Sequence, residues 1–121
     1  MSKFSLNSRI KSFGYAFAGI KTLVQTQHNM WIHLSVASLV VLFGFLYEVT
    51  TTEWIFLTLS IVIVLFAEAM NTALEFLCDA VHPENHPQIK QAKDVAAAAV
   101  LITAIGAAIV GLIVFVPYIF G

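Results

Sequence analysis

The chain has 121 residues, of which 60% are hydrophobic and only 11% are charged, and its formal net charge is −1. About a quarter of the residues in a soluble domain are charged, so this composition and a mean hydropathy of +0.89 favour a lipid bilayer as the solvent. The near-neutral charge argues against a nucleic-acid partner, and the single cysteine excludes an internal disulfide framework.

The first predicted element is an amphipathic helix over residues 4–26. A basic amphipathic helix that precedes a membrane span usually lies in the membrane interface. We therefore expect a surface helix here, which could also pack against the other helices. Its apolar stripe recurs at intervals of three and four and is formed by Ile10, Phe13, Phe17, Ile20 and Val24.

Three membrane-spanning helices are predicted next, over residues 30–47, 54–81 and 95–116. The second is apolar at first, and its helical pattern then continues past Glu68. Residues 82–87 contain two prolines, which stop helices, and are expected to form a loop. The fold class is therefore an all-α membrane protein with an N-terminal surface helix and three membrane helices.

The distribution of lysine and arginine predicts how the chain crosses the membrane. All six of these residues lie before the first span or between the second and the third. The positive-inside rule then puts the N-terminus and the loop at 82–94 in the cytoplasm. We expect Glu48 and Glu53 to be solvated in the polar turn between the first two spans. His33, near the start of the first span, is expected at the membrane interface.

A polar face on the second membrane helix is the main indication of function. Glu68, Asn71, Glu75 and Asp79 lie three or four residues apart, so they share one face of the helix. Carboxylates inside a membrane are costly and usually functional. Glu68 is the deepest of them, and there it is a candidate general base for a lipid hydroxyl. Asn71, one turn on, could orient that base or a phosphate oxygen.

The cytoplasmic end of this face has the chemistry of a nucleotide-phosphate site. Glu75 and Asp79 supply hard oxygen ligands that suit Mg²⁺, and Lys93 and Asp94 open the third span across a short loop. Lys93 is a suitable partner for a phosphate group. The alternative is a structural ion pair between Lys93 and either Glu75 or Asp79.

A second function class also fits the polar face. A proton-relay or channel subunit without enzymatic activity could use Glu68 as its titrating group. Such a protein would need neither Lys93 nor Asp94. For His82 and His86, solvated loop residues are the simpler interpretation.

The third membrane helix is rich in small residues. Ala104 with Ala108, and Ala107 with Gly111, have the spacing that permits close approach of helices within or between chains. Three short spans cannot by themselves shield so many polar groups from lipid. We therefore expect an oligomer, although this reasoning leaves its copy number open.

Two segments carry a family resemblance. Glu-Ala-Met-Asn-Thr-Ala-Leu-Glu at 68–75 and Ala-Lys-Asp-Val-Ala-Ala-Ala-Ala-Val-Leu at 92–101 resemble the small prokaryotic diacylglycerol kinases, which include undecaprenol kinases. The resemblance extends from about residue 13 to residue 117 and implies one domain over residues 1–121. It implies a homotrimer in the cytoplasmic (inner) membrane, with active sites between subunits at the cytoplasmic face. The implied reaction transfers the γ-phosphoryl group of MgATP to a lipid hydroxyl.

The resemblance also implies roles for individual residues. Carried over by position, Glu68 is the catalytic base with Asn71 beside it, and Glu75 binds the metal. Asp79 lies close to this site. The residues implied to contact the nucleotide are Tyr15, Gly19, Glu84, Asn85, His86, Lys93 and Asp94.

The chain departs from the family pattern just before the first span. Gln27 occupies the place of a second metal-binding glutamate, and a neutral amide is a weaker magnesium ligand. Trp31 occupies a place that is often basic. These changes leave the number of metal ions open, and they keep a third alternative, a family member that has drifted to a lipid-binding role.

Two segments bear on the lipid acceptor. The one that contains Asn29, Ile32 and His33, and the one at 86–97, look more like the undecaprenol kinase branch. Undecaprenol is therefore the first expectation. Diacylglycerol, which would give phosphatidic acid, is the second.

Overall fold

A computed structural model describes residues 3–121, and this part of the chain consists of four α-helices without any strand. The all-α prediction is therefore confirmed. Helices α2, α3 and α4 are each long and apolar enough to cross a bilayer. The helices are α1 (Leu6–Thr26), α2 (His28–Leu46), α3 (Thr51–Val81) and α4 (Pro87–Phe120).

All three membrane helices begin earlier than the sequence pattern predicts, α2 by only two residues. Helix α3 starts at Thr51 because Thr50 and Glu53 form a capping box, in which each side chain bonds to the backbone N–H of the other. Helix α4 starts at Pro87, instead of residue 95. Proline is favoured in the first turn of a helix, and the His86 side chain accepts a hydrogen bond from the next free backbone N–H.

Helix α4 also continues past the predicted stop at Pro117. Proline lacks a backbone N–H and so removes one helical hydrogen bond. Only one more turn follows, and the N–H of Gly121 closes it on the carbonyl of Pro117 at 2.9 Å. At 34 residues the helix is about 51 Å long, which exceeds a hydrocarbon core of about 30 Å. Its ends therefore extend beyond the apolar layer.

Helices α3 and α4 form an antiparallel hairpin, which is the main packing unit of the chain. The buried and half-buried residues along one face of α3 recur at alternating intervals of four and three. This is the spacing of helices packed side by side. The least exposed residues of α4 follow the same spacing. The α3 set is Leu57, Ile61, Val64, Glu68, Asn71, Glu75 and Cys78, and the α4 set is Lys93, Ala96, Val100, Thr103, Ala107, Val110 and Val114.

Helix α2 joins this hairpin at the end near the α2–α3 turn. Val49, Leu57 and Val114 form a small buried core there. Tyr118 stacks on Tyr47, with ring centroids 5.8 Å apart, and donates its hydroxyl hydrogen to Glu53. Glu53 is therefore a structural residue, and the expectation that it is merely solvated was wrong.

Helix α1 has no buried residue and contacts the rest of the chain mainly through α2. The indole Nε1 of Trp31 donates a 2.8 Å hydrogen bond to the carbonyl of Val24, across the corner at Gln27. This bond holds the end of α1 against the start of α2. The long exposed faces of α1 remain open for contact with lipid or with another chain.

Candidate active site

The deep part of the polar face of α3 is buried, whereas its loop end at Asp79 is exposed. Glu68 is 1% exposed, and Asn71 and Thr72, one turn on, are also buried. These residues occupy the α3–α4 seam, where the other positions are mostly apolar. Burying a carboxylate in such a seam destabilises the fold unless it is compensated. Folding therefore gives no reason for Glu68, and a functional role does.

Asn71 lies between the deep and the shallow carboxylates of this face and is hydrogen-bonded to the shallow one. Its Nδ2 donates a 3.2 Å hydrogen bond to Oε1 of half-buried Glu75, one turn closer to the α3–α4 loop. Its own Oδ1 is buried and has no hydrogen-bond partner within residues 3–121. An amide oxygen without a partner beside a carboxylate leaves a ready acceptor for an external donor or a cation.

The two predicted phosphate-site residues of α4 make separate ion pairs. Nζ of Lys93 lies 2.5 Å from Oδ1 of Asp79, which ties the end of α3 to the second turn of α4. Asp94 pairs instead with Lys90, one turn earlier on the same helix, at 2.6 Å. Both pairs are exposed and therefore contribute little to stability. The ion pair that the sequence left as an alternative is thus present between Asp79 and Lys93, and Glu75 does not take part in it.

A cleft of about 720 Å³ lies beside these pairs, at the loop between α3 and α4. This volume is within the usual range for small-molecule sites. Four of the predicted nucleotide residues lie together there, namely Glu84, Asn85, His86 and Lys93. His86 also caps α4, a role that the interpretation as a solvated loop residue missed.

The remaining predicted residues lie apart from this cleft within the chain. Tyr15 is 72% exposed on α1, and a side chain at Gly19 would meet no atom within 4 Å. Gln27 ends α1 and precedes α2, and its Nε2 donates to the hydroxyl of Thr26 at 3.1 Å. Within residues 3–121, a single copy of the chain therefore does not bring all of the predicted nucleotide and metal residues together.

The donor chemistry at the loop end of α3 fits a magnesium ion. Mg²⁺ prefers a few carboxylate oxygens, with waters and phosphates completing its coordination. Glu75 supplies such a carboxylate beside the free Oδ1 of Asn71. Within residues 3–121, no three histidine, cysteine, aspartate or glutamate side chains cluster into a ready metal site.

Two features were not predicted from the sequence. Nε2 of His33, on α2, lies 3.3 Å from Oε2 of Glu68, so this histidine faces the bundle. An apolar cavity of about 350 Å³ also lies between α2, α3 and α4. Ala104, Ala107, Ala108 and Gly111 line its α4 side. The small residues of α4 thus leave space for this cavity beside the hairpin. Their small-residue spacing was the one feature of the sequence that pointed to the cavity.

Comparison with known proteins decides the family. The sequence pattern of prokaryotic diacylglycerol kinase matches residues 14–115. The chain belongs to this family. The resemblance carried by residues 68–75 and 92–101 is therefore confirmed, and the three apolar helices are those of a membrane protein.

Two curated relatives show how similar the chain is to named members. An undecaprenol kinase from Bacillus subtilis (strain 168) is 38% identical over 112 residues, which are 93% of this chain and 91% of that protein. A diacylglycerol kinase from Synechocystis sp. (strain PCC 6803) is 38% identical over 107 residues, 88% of this chain and 61% of that protein. The first relative is thus matched over almost its whole length.

Proposed function

We propose that this protein is an ATP-dependent lipid kinase, which transfers the γ-phosphoryl group of MgATP to the hydroxyl group of undecaprenol. The observation that supports it most is the carboxylate of Glu68, buried in an apolar seam of a chain from this family. A non-enzymatic membrane bundle would gain stability from an apolar residue at that position.

In this proposal Glu68 is the general base. The lipid hydroxyl gives its proton to the Glu68 carboxylate while its oxygen forms a bond to the γ-phosphorus. The bond between that phosphorus and the β–γ bridging oxygen breaks, and ADP leaves. Asn71 lies one turn from Glu68 and holds the carboxylate of Glu75 by a hydrogen bond, so it would orient Glu75 beside the general base.

The nucleotide would lie in the cleft at the α3–α4 loop. Glu84, Asn85 and His86 line that cleft, and Lys93 offers a positive charge to the phosphates when it turns from Asp79. Glu75 would hold Mg²⁺, with Gln27 as a weaker neutral ligand. The ion would neutralise charge on the phosphates during transfer.

We place the site at the cytoplasmic face of a prokaryotic inner membrane. All the lysine and arginine residues lie in α1 or its N-terminal approach, or in the first two turns of α4, and this distribution supports a cytoplasmic N-terminus and α3–α4 loop. The ATP pool of the cell would then reach the cleft directly.

A homotrimer completes the proposal. Tyr15 and Gly19 on α1 lie outside the cleft of their own chain, so the α1 of a neighbouring subunit would have to supply them. The open faces of α1 and the apolar outer surfaces of α2–α4 are available for such contacts.

The acceptor lipid is tested with γ-labelled ATP and the purified protein in mixed micelles. We expect label to enter undecaprenol at a higher kcat/KM than it enters diacylglycerol. A preference for diacylglycerol, the acceptor in the name of the Synechocystis relative, would support the proposed kinase activity but replace undecaprenol as the proposed substrate. No label in either lipid, with folded protein, would contradict the proposed reaction.

A further inference from the structure

His33 and Glu68 form a buried pair across the α2–α3 contact. Nε2 of His33 lies 3.3 Å from Oε2 of Glu68, and their side chains are 17% and 1% exposed. Neither atom has a hydrogen-bond partner within residues 3–121, so their contact has an ion-pair distance without hydrogen-bond geometry. A small turn of either side chain would be enough to make it a hydrogen bond.

The pair has few ionisable neighbours along the seam, although Asn71 Oδ1 and Thr72 Oγ1 are further buried polar atoms without partners within residues 3–121. Glu75, the next carboxylate on α3, is occupied by Asn71. The inward residues of α4 along the same seam are Ala96, Val100 and Thr103, none of which ionises. A buried carboxylate without a donor swings between rotamers or takes up a proton, and either change would spoil it as a base.

His33 also lines the apolar cavity between α2, α3 and α4. Ile32, Val36, Val64, Leu65 and Ala104 are among its other lining residues, and His33 is the ionisable group in that lining. The imidazole thus stands between an apolar space within the membrane and the carboxylate of Glu68. Its ring has one nitrogen directed to Glu68 and a small exposed fraction elsewhere.

We propose that His33 is a positioning residue for Glu68. With a small turn of the imidazole from its 3.3 Å contact, the Nε2–H donates to Oε2 and holds the carboxylate in one rotamer. The second carboxylate oxygen is then free to take the proton of the lipid hydroxyl. That proton stays on Glu68 until the phosphorylated lipid leaves and is then released to water. This inference rests on the proposed lipid kinase reaction and adds a residue to it.

Three variants separate positioning from packing. His33→Gln keeps an N–H donor of similar reach, whereas His33→Phe keeps a ring that packs in the apolar cavity but cannot donate. Positioning predicts that kcat falls about 10- to 100-fold in His33→Phe and only a few-fold in His33→Gln, with KM for ATP nearly unchanged. Added imidazole should restore part of the kcat of His33→Ala. His28→Phe, an exposed position in the first turn of α2, is the matched control and should behave as the wild type.

The opposite ranking would overturn the inference. If packing alone mattered, His33→Phe would keep wild-type kcat, or His33→Gln and His33→Phe would lose it equally. Absence of rescue by imidazole in His33→Ala would also count against positioning. This test remains valid even if His33→Gln or His33→Phe misfolds. Because wild-type transfer to lipid is measured in the same assay, a failed His33 ranking with active wild type rejects only this inference. An inactive wild type would reject the proposed reaction itself.

Discussion

Lys93 and Asp79 form the exposed ion pair that closes the loop end of the α3–α4 hairpin. A lysine paired so close to the proposed phosphate site must exchange one anion for another when a nucleotide binds. Since an exposed pair adds little stability, the pair can open at small cost. In the proposed mechanism, Asp79 would hold Lys93 until a phosphate group of the nucleotide replaces it.

This exchange predicts opposite effects for the two partners. Lys93→Met should raise the KM for ATP about tenfold or more, because one charge-assisted contact to phosphate is lost. Asp79→Asn should leave that KM unchanged or lower it, because it releases Lys93. Steady-state kinetics of both variants at saturating lipid measure the difference. A purely structural pair would instead give both variants the same loss of thermal stability and no change in KM.

At the scale of helices, one close approach sets the geometry of α2 on α3. A Cβ atom on Gly44 would overlap Cη2 of Trp54, so the indole packs directly on the backbone of α2. The ring of Phe45 lies beside the same indole, with centroids 4.9 Å apart. Glycine is needed at residue 44 because any larger residue would push the two helices apart at their joining turn.

Gly44→Ala is expected to destabilise the protein by about 1–3 kcal/mol, the usual range for overpacking. Gly106→Ala is the control, since a Cβ there meets no atom within 4 Å and alanine favours helix by about 1 kcal/mol. Unfolding in a graded detergent mixture, followed by circular dichroism, measures both. Adding Trp54→Leu to Gly44→Ala should recover part of the lost stability. Equal stability of the Gly44→Ala and Gly106→Ala variants would show that the close approach of Trp54 to Gly44 does not matter.

The helices themselves follow from the sequence, whereas their ends do not. Apolar length predicts the three membrane helices, and intervals of three and four predict α1. The start of α4 differs because Pro87 was taken as a stop, although it occupies the first turn after the cap at His86. Because the residues from Gln88 to Asp94 are mostly polar, the sequence did not predict that they form the first turns of α4. These turns depend on the cap at His86 and on the ion pair with Asp79.

The candidate site was predictable only as far as it is local in sequence. The shared face of Glu68, Asn71 and Glu75 follows from helical spacing alone. Contacts between helices, such as that of His33 with Glu68, have no sequence signal, because they depend on how α2 packs against α3. The choice between a phosphate contact and an ion pair for Lys93 was open for the same reason.

At the scale of the whole molecule, the chain exposes more surface than a compact monomer. Its accessible area is 9118 Å², compared with about 6,500 Å² expected for a soluble protein of 13.3 kDa. Large apolar side chains cover the outer faces of every helix. Lipid and neighbouring subunits together account for such a surface, which is consistent with the proposed trimer.

Subunit mixing tests whether neighbouring subunits share a site. Gly19→Leu on α1 and Glu68→Gln on α3 should each abolish transfer. A Cβ atom at residue 19 meets no atom within 4 Å among the described residues of its own chain. If α1 of one subunit completes the site of the next, equal random mixing leaves about a quarter of the sites intact. The activity of remixed detergent-solubilised subunits measures this fraction. Sites contained within single subunits would give no recovery.

The most direct measurement of the central claim compares Glu68→Gln with Glu48→Gln, the same substitution at an exposed carboxylate in the α2–α3 turn. Transfer of γ-labelled phosphate from ATP to undecaprenol should fall at least about 100-fold in Glu68→Gln and remain at the wild-type level in Glu48→Gln. The thermal stability of Glu68→Gln should be equal to or above that of the wild type, because a buried charge is removed. Undiminished transfer by Glu68→Gln, or proton flux in liposomes without nucleotide and without any transfer, would contradict the account.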